Sequence, residues 1–340
     1  MIDIALASDA NYACGLLVTA VSMARSASPD AVLRFNVMDG GIPDDMWDDF
    51  TFQVRKFHSA SEFRRFRVDD TCFNAYPSWS GTGRMTYARF LLPQLLSDID
   101  YVIYCDVDFL WLADVAELWK VRRPNVLAFS TREGKDPTRR IEEPWFAKQG
   151  LPYSFDTYIC AGLILFNLAL CRRLRVIDQA RAFLDSHSDV QVADQSALNA
   201  VLGGSTLAEG VTNVSFLPAR WQVFSGDVTN EFLAEGCVIH YAGAAPWRFA
   251  HRRVLLSDAL LIWHRLNAEI RHCSVWQSLR SFLPLGRIVL RRLLFLLFAT
   301  PGIRGLCWLM LTLMGHRACV KTFAAECHRL RKFNFDKGEV

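Results

Sequence analysis

Hydrophobic and polar positions at the start of the chain follow two alternating patterns. Residues 3–8 (DIALAS) and 33–38 (LRFNVM) are short aliphatic runs typical of strands, whereas residues 16–27 show the periodicity of a helix. The order strand, helix, strand favours a parallel sheet covered by helices. The pattern therefore predicts an α/β fold.

The same reading extends through the first 200 residues. Further strands are predicted over 63–68, 101–105 and 159–168. Further helices are predicted over 85–92, where Pro93 closes the helix, over 172–186, and from Asp194 onward. Residues 131–152 are polar, charged and contain proline, which predicts a long loop over one face.

Charge is distributed unevenly along the 340 residues. The chain is 51% hydrophobic and 21% charged, so it is long and apolar enough for one large core or two smaller ones. Residues 271–332 hold eleven lysines and arginines and one acid, a net +10, which leaves −7 for the remainder because the total is +3. The basic charge belongs to one end of the chain.

That basic end suggests attachment to a membrane. Between residues 275 and 331 arginines interleave with leucine and phenylalanine blocks, each shorter than the ~20 residues that span a bilayer. We expect a helical tail that lies on an anionic lipid surface, with residues 1–252 as catalytic domain and 253–340 as tail. The alternatives are a core subdomain and a transmembrane or re-entrant segment over 293–315.

The cysteines and the start of the chain bear on location. Ten cysteines include no C-x-x-C pair, and the chain begins Met-Ile-Asp-Ile without the features of a secretory signal. We expect reduced thiols and a cytoplasmic protein, attached peripherally to the inner face of the cell membrane.

Two carboxylates follow the best predicted strand. In YVIYCDVDFLW, residues 101–111, Asp106 and Asp108 stand one residue apart, so on a strand they would point the same way with Val107 opposite. Adjacent like charges repel unless a cation bridges them, and a hard divalent ion does so economically. Ligands of α/β folds bind beyond strand ends. Alternatively, the acids cap a strand and face water.

Five further patterns accompany this pair in a fixed order: ASDANY at 7–12, TYARF at 86–90, CAGLILFN at 160–167, DQS at 194–196 and HYAGAAPW at 240–247. The ordered set resembles glycosyltransferase family eight, the retaining hexosyltransferases that include bacterial lipopolysaccharide galactosyltransferases and the glycogenins. The resemblance covers residues 1–247. It implies a single Rossmann-like nucleotide-sugar-binding domain of the GT-A type.

The resemblance also implies a metal and a donor. A manganese ion, with magnesium as the alternative, would be held by Asp106, Asp108 and His240 against the diphosphate of a UDP-hexose. Asp194 would bind hydroxyls of the donor sugar, and Gln195 would lie near the anomeric carbon as the other catalytic residue. The remaining substrate-binding residues implied are Ala7, Asp9, Asn11, Tyr12, Arg89, Asp106, Val107, Cys160, Ala161, Gly162, Gly243, Trp247 and Arg248.

Simpler readings exist for three of these residues. Asp9 can form a plain Asx turn, Arg89 can neutralise buried acids structurally, and Asp194 can cap its helix.

Three positions depart from the family pattern. Cys160 stands where the pattern usually has Asn, and Ser196 replaces the last acid of D-Q-D. The final motif is one residue shorter and lacks the Lys that touches the diphosphate, a charge that Arg248 could supply. These departures leave the donor sugar open.

The function implied is retaining transfer of galactose or glucose from a UDP-sugar, with α-linkage, to a glycan acceptor such as a lipopolysaccharide core or another lipid-linked saccharide. The sequence indicates no carboxylate placed as a nucleophile, so same-face attack by the acceptor is favoured. One alternative is a catalytically decayed, membrane-associated relative. A haloacid-dehalogenase-like phosphatase fits less well, because Phe109 and Leu110 follow the acids deep in the chain. No nucleic-acid-binding module is recognisable.

Overall fold

The structure, a computed structural model, describes residues 1–77, 83–134, 136–154, 156–204, 206–243, 245–247, 257–273, 275, 277 and 278. Contacts between residues divide the chain into two units, Met1–Gly243 and Ala244–Val340. The predicted site residues up to Gly243 all belong to the first unit.

The first unit alternates strands and helices. Its strands are β1 Ile2–Ser8, β2 Leu33–Asp39, β3 Glu62–Arg67, β4 Tyr101–Cys105, β5 Phe109–Trp111, β6 Val126–Arg132, β7 Ile159–Asn167, β8 Thr212–Phe216, β9 Val223–Phe224 and β10 Val238–His240. Its helices are α1 Ala13–Ser26, α2 Asp44–Phe57, α3 Leu92–Leu95, α4 Val115–Lys120, α5 Asp136–Lys148, α6 Leu168–Arg173, α7 Val176–Ser186, α8 Ala193–Leu202 and α9 Asn230–Glu235.

A seven-stranded sheet forms the centre of this unit, in the order β3-β2-β1-β4-β7-β6-β8. Every residue of β1 and of β7 is buried, as expected for strands covered on both faces. The predicted parallel sheet is a mixed sheet, because β7 runs antiparallel to both β4 and β6. The start of β7 therefore lies at the edge where the other six strands end.

A smaller sheet in the order β5-β10-β9 extends this edge. His240 is paired across it with Phe109 on one side and with Phe224 on the other. The register therefore places the His240 ring between two aromatic rings.

Most predicted strands are confirmed to within a residue or two, whereas the helices differ more. Residues Arg84–Leu91 form a 3-10 helix, and Pro93 lies inside the following α3, where a missing N–H costs nothing in a first turn. The helix expected over 172–186 is two helices separated by Arg175 in a left-handed conformation.

The predicted loop over 131–152 is wrong, because it contains helix α5. Pro144 lies inside this helix, and Trp145 and Phe146 beside it are buried. Burial of an apolar face compensates for the hydrogen bond that proline removes, which local composition alone does not predict.

The second unit contains α10, Asp258–Ile270, which begins at the side-chain cap of Ser257. The buried His264 ring bonds the Ser278 hydroxyl at 2.9 Å. In the part of the chain described here, no helix combines the length and apolar composition needed to cross a membrane. The predicted membrane-associating tail lies largely outside the described residues.

Candidate active site

The two acids of the D-x-D pattern face different partners. Strand β4 ends at Cys105, so Asp106 and Asp108 lie in the turn before β5 and the expected strand alternation does not apply. The Asp106 amide donates to the Gly162 carbonyl at 2.8 Å, while the Asp108 carbonyl accepts from the Tyr241 amide at 2.9 Å. The turn is therefore fixed from two directions.

Arg89 connects two acids that are far apart in sequence. Its guanidinium lies 2.8 Å from Asp106 Oδ1 and 3.0 Å from Asp194 Oδ2. Hydroxyls complete the arrangement: Thr86 donates to Asp194 at 2.6 Å and Tyr104 to Asp106 at 2.7 Å. We call these five residues the arginine cluster.

Burial dominates the electrostatics of this cluster. Arg89 is only 1% exposed, and although burial lowers its pKa, Asp106 and Asp194 outweigh that effect and raise it. Burial raises the pKa of Asp106 to about 6 and also raises that of Asp194, with Arg89 opposing both shifts. Arg89 is therefore the cation that favours the charged form of both carboxylates.

His240 is held between aromatic rings. Its ring stacks on Phe109 at a centroid distance of 4.0 Å and on Phe224 at 5.4 Å, and its Nε2 lies 3.4 Å from Asp108 Oδ1. A Cβ at Gly162 would come within 2.9 Å of the Phe109 ring and 3.1 Å of His240. Glycine at position 162 therefore allows this stack to lie against β7.

The predicted metal ligands are only partly assembled. Asp108 and His240 lie together, and a carboxylate with an imidazole suits manganese. Asp106 instead bonds Arg89 and Tyr104, and among the described residues no group of three or more His, Cys, Asp or Glu side chains is arranged to hold a metal ion. Two of the three residues fit the ion, and the full ligand set stays a prediction.

Helix α8 contacts the first residues of β7 through two amide side chains. Gln195 Oε1 accepts from the Ala161 amide at 2.8 Å, and Asn199 bonds both the amide and the carbonyl of Ile159 at 2.7 and 3.0 Å. Pairing with β4 reaches only Leu163, so these side chains take the place of a neighbouring strand. The Gln195 Nε2 lies 3.4 Å from Glu133, which orients the amide.

A second buried cluster lies on the other side of Gln195. The Glu142 carboxylate of α5 accepts from the Tyr158 hydroxyl at 2.5 Å and from the Ser196 hydroxyl at 2.9 Å. Ser196 Oγ in turn accepts from the Val192 amide at 2.8 Å. Burial raises the pKa of Glu142, and the two hydroxyl donors oppose that rise. We call Glu142, Tyr158 and Ser196 the glutamate cluster.

The loop after β1 has the geometry of an Asx turn. The Asp9 carboxylate accepts from the amides of Asn11 and Tyr12 at 2.9 and 3.0 Å and from the Asn11 side chain at 3.3 Å. Ala7 is buried in β1 beside it. The turn holds the acid, the amide and the aromatic ring at the edge where the strands end.

The other predicted contact residues lie in varied places. Val107 is buried, and its carbonyl accepts from Thr19 at 2.8 Å. Cys160 is buried in β7, which raises the pKa of its thiol. Gly243 adopts a positive φ of 69° at the end of the first unit, Trp247 belongs to the second unit, and Arg248 lies outside the described residues.

Several residues of the site had no assigned role in the sequence. Tyr104 stands on β4 two positions before Asp106, which lies in the turn after the strand, so their proximity in sequence was the only signal for their contact. Glu133 follows β6 directly, at an edge that collects ligand-binding side chains. Glu142 had no usable signal, because its helix was itself predicted to be a loop.

Comparisons with known proteins identify the family and the fold of this chain. The profile of the family described as Glycosyl transferase family 8 matches residues 3–250. General stress protein A of Bacillus subtilis (strain 168) is 27% identical over 201 residues, 57% of this chain and 67% of that protein. The galactosyltransferase LgtC, in complex with donor and acceptor sugar analogs, has a TM-score of 0.64 at 24% identity, covering 83% of this chain and 100% of LgtC. The bifunctional glycosyltransferase WbbM has a TM-score of 0.62 at 20% identity, covering 80% and 51%.

Proposed function

Because the chain belongs to glycosyl transferase family 8, we propose that it transfers a hexose, galactose or glucose, from a UDP-sugar to a saccharide acceptor with retention of configuration. Family membership supports glycosyl transfer. The finer parts of the proposal are UDP as the carrier, a hexose as the sugar and retention of configuration. They are supported by the chemistry of the site and by the sequence resemblance described above.

The single observation that carries the proposal is the arginine cluster. Asp106, from the turn after β4, and Asp194, from the first turn of α8, are drawn to one buried Arg89. A buried ion network of this kind is costly to desolvate, and carboxylates with raised pKa values beside a specific charge partner are typical of functional sites. Its position at the strand-end edge suits a nucleotide-sugar.

In our proposal, Asp194 and Gln195 have different roles in the reaction. Asp194, held by Arg89 and Thr86, accepts hydrogen bonds from the donor sugar. Gln195 presents its amide with the oxygen turned to Ala161 and the nitrogen to Glu133. A neutral amide is a poor nucleophile, which supports same-face attack by the acceptor over a covalent intermediate.

Asp108 and His240 would hold a divalent ion together with Asp106. When bound, such an ion supplies Lewis-acid stabilisation of the negative charge on the departing nucleotide. The aromatic stack on both sides of His240 restricts its ring to one orientation before any ligand arrives.

The acceptor and the location are proposed from the sequence. A basic, apolar tail over 253–340 fits attachment to the inner face of the cell membrane, which would bring the site to a lipid-linked saccharide such as a lipopolysaccharide core. Arg248 would contribute positive charge to the diphosphate, so an Arg248→Ala variant should raise the donor KM.

The test is release of UDP from UDP-galactose and UDP-glucose by the full chain, with manganese or with EDTA. We expect turnover of one donor that EDTA abolishes and that Asp108→Asn lowers by at least about 100-fold. Asp100→Asn is the matched control, because the Asp100 side chain is 75% exposed on the opposite edge of the sheet.

Two other outcomes would contradict the metal assignment or the transferase function. Turnover that is insensitive to EDTA and to Asp108→Asn would contradict the metal assignment. If neither donor turns over and calorimetry detects no manganese-dependent binding of UDP, the decayed, membrane-associated relative becomes the better description.

A further inference from the structure

Glu142 is an acid on the buried face of a helix. Thr138, Glu142, Trp145 and Phe146 are the buried positions of α5 at helical spacing, and Glu142 is 0% exposed. Acids are almost never fully buried unless hydrogen bonds or cations compensate for lost water. The hydrogen-bond partners of Glu142 must therefore explain why an acid is tolerated at this buried position.

The contacts of Glu142 converge on the start of α8. One carboxylate oxygen accepts from Tyr158, the residue before β7, and the other accepts from Ser196 in the first turn of α8. The Ser196 oxygen also accepts from the Val192 amide at the N-cap position. One carboxylate thus joins α5, the entry to β7 and α8.

The backbone at the start of α8 needs such support. Ala193 has a φ of +48°, a left-handed conformation that costs a non-glycine residue about 1 kcal/mol or more. Val192 occupies the N-cap position and makes no side-chain hydrogen bond to the helix. The Ser196 hydroxyl spans this strained turn, and Glu142 fixes the hydroxyl.

The strained turn immediately precedes Asp194 and Gln195. A shift in this turn would move both side chains relative to Arg89 and Ala161, which contact them at 3.0 and 2.8 Å. We propose that Glu142 is a positioning residue of the transferase reaction, holding Asp194 and Gln195 in place through Ser196. This inference rests on the proposed function and deepens it.

Ser196 is also where the family pattern has an acid. In this chain the carboxylate that bonds residue 196 comes from α5. That relation provides a reciprocal experiment, in which the acid is returned to position 196.

The first experiment compares Glu142→Gln with Glu143→Gln in the full chain. The Glu142→Gln change would turn an amide group toward hydroxyls that now donate, so kcat should fall by about 100-fold. The donor KM should rise, because Asp194 binds the donor sugar, while manganese-dependent binding of UDP, which lacks the sugar, should stay unchanged. Glu143 is the matched control, because its side chain is 53% exposed and pairs with Arg139. Hydrogen exchange of the amides of residues 193–196 should become faster only in Glu142→Gln.

The second experiment restores the acid. Ser196→Asp alone places two carboxylates side by side and should lose activity and thermal stability. The double variant Ser196→Asp, Glu142→Gln keeps one acid at this place and should recover most of kcat. If Glu142→Gln does not fold, folding and activity of the double variant decide the question.

Wild-type kcat and unchanged hydrogen exchange in Glu142→Gln would overturn the proposal. So would equal losses of kcat and of UDP binding, which would indicate a general structural defect. If the wild type itself transfers no sugar, the proposed function fails, whereas the hydrogen exchange of residues 193–196 still shows whether Glu142 holds α8.

Discussion

The arginine cluster and the glutamate cluster lie on two sides of Gln195 and compensate buried carboxylates in opposite ways. In the first, one cation balances two acids, and each acid also accepts from one hydroxyl. In the second, one acid is bonded by two neutral hydroxyls. In the arginine cluster, loss of Arg89 alone removes the compensating charge of both acids. In the glutamate cluster, loss of either hydroxyl leaves the other hydroxyl bonded to Glu142.

The largest expected effect comes from Arg89→Ala. It would leave the buried Asp194 and the partly exposed Asp106 without their cation, and an unpaired buried acid typically costs about 3–5 kcal/mol of unfolding free energy. Donor turnover should disappear as well, because both acids lose their orientation. Denaturant unfolding and UDP release measure the two effects, and an equally active, equally stable variant would show that the cluster is not charge-balanced as described.

A smaller loss of unfolding free energy is expected from Ser196→Ala in the glutamate cluster. It removes one donor to Glu142 and the acceptor of the Val192 amide, together about 2 kcal/mol. Tyr158 remains to bond the carboxylate. If Ser196→Ala destabilised the chain more than Arg89→Ala in the same urea titration, the proposed difference between the two clusters would be contradicted.

A still smaller loss of unfolding free energy is expected from Tyr104→Phe in the arginine cluster. The hydroxyl bond to Asp106 is lost, but the ring face that lies 4.3 Å from the Arg89 guanidinium carbon is kept. Since Asp106 is 30% exposed, water can replace the hydroxyl, and the cost should be about 1 kcal/mol. A loss as large as that of Arg89→Ala would mean that the hydroxyl, not the cation, sustains Asp106.

The smallest effect is a difference in pH dependence. Burial raises the pKa of Glu142 above its ordinary 4.5, so the folded chain binds this proton more tightly than the unfolded chain. The resulting stability is present below pH 4.5 and is lost as the pH rises through the raised pKa. Wild type should therefore lose stability relative to Glu142→Gln over that range, and Glu143→Gln should parallel wild type.

The two clusters also differ in how far the sequence predicted them. Arg89, Asp106 and Asp194 stand in quoted patterns beside predicted strands and helices, and their meeting at one edge follows from the topology. Glu142 could not be predicted, because composition and Pro144 indicated a loop and only tertiary packing makes that segment a helix. The same limit applies to β7: its apolar run was recognised, but periodicity carries no information about direction.

The direction of β7 has a consequence for how relatives of this chain can diverge. Because β7 starts at the edge that holds the candidate site, the described residues just before it, such as Tyr158, lie at that edge, whereas α6 follows β7 at the far side of the sheet. Changes at exposed positions before β7 can therefore alter the surface beside the site. Glu133, Glu142 and Tyr158 must be kept, because Glu133 and Glu142 bond Gln195 and Ser196 of α8 and Tyr158 bonds Glu142.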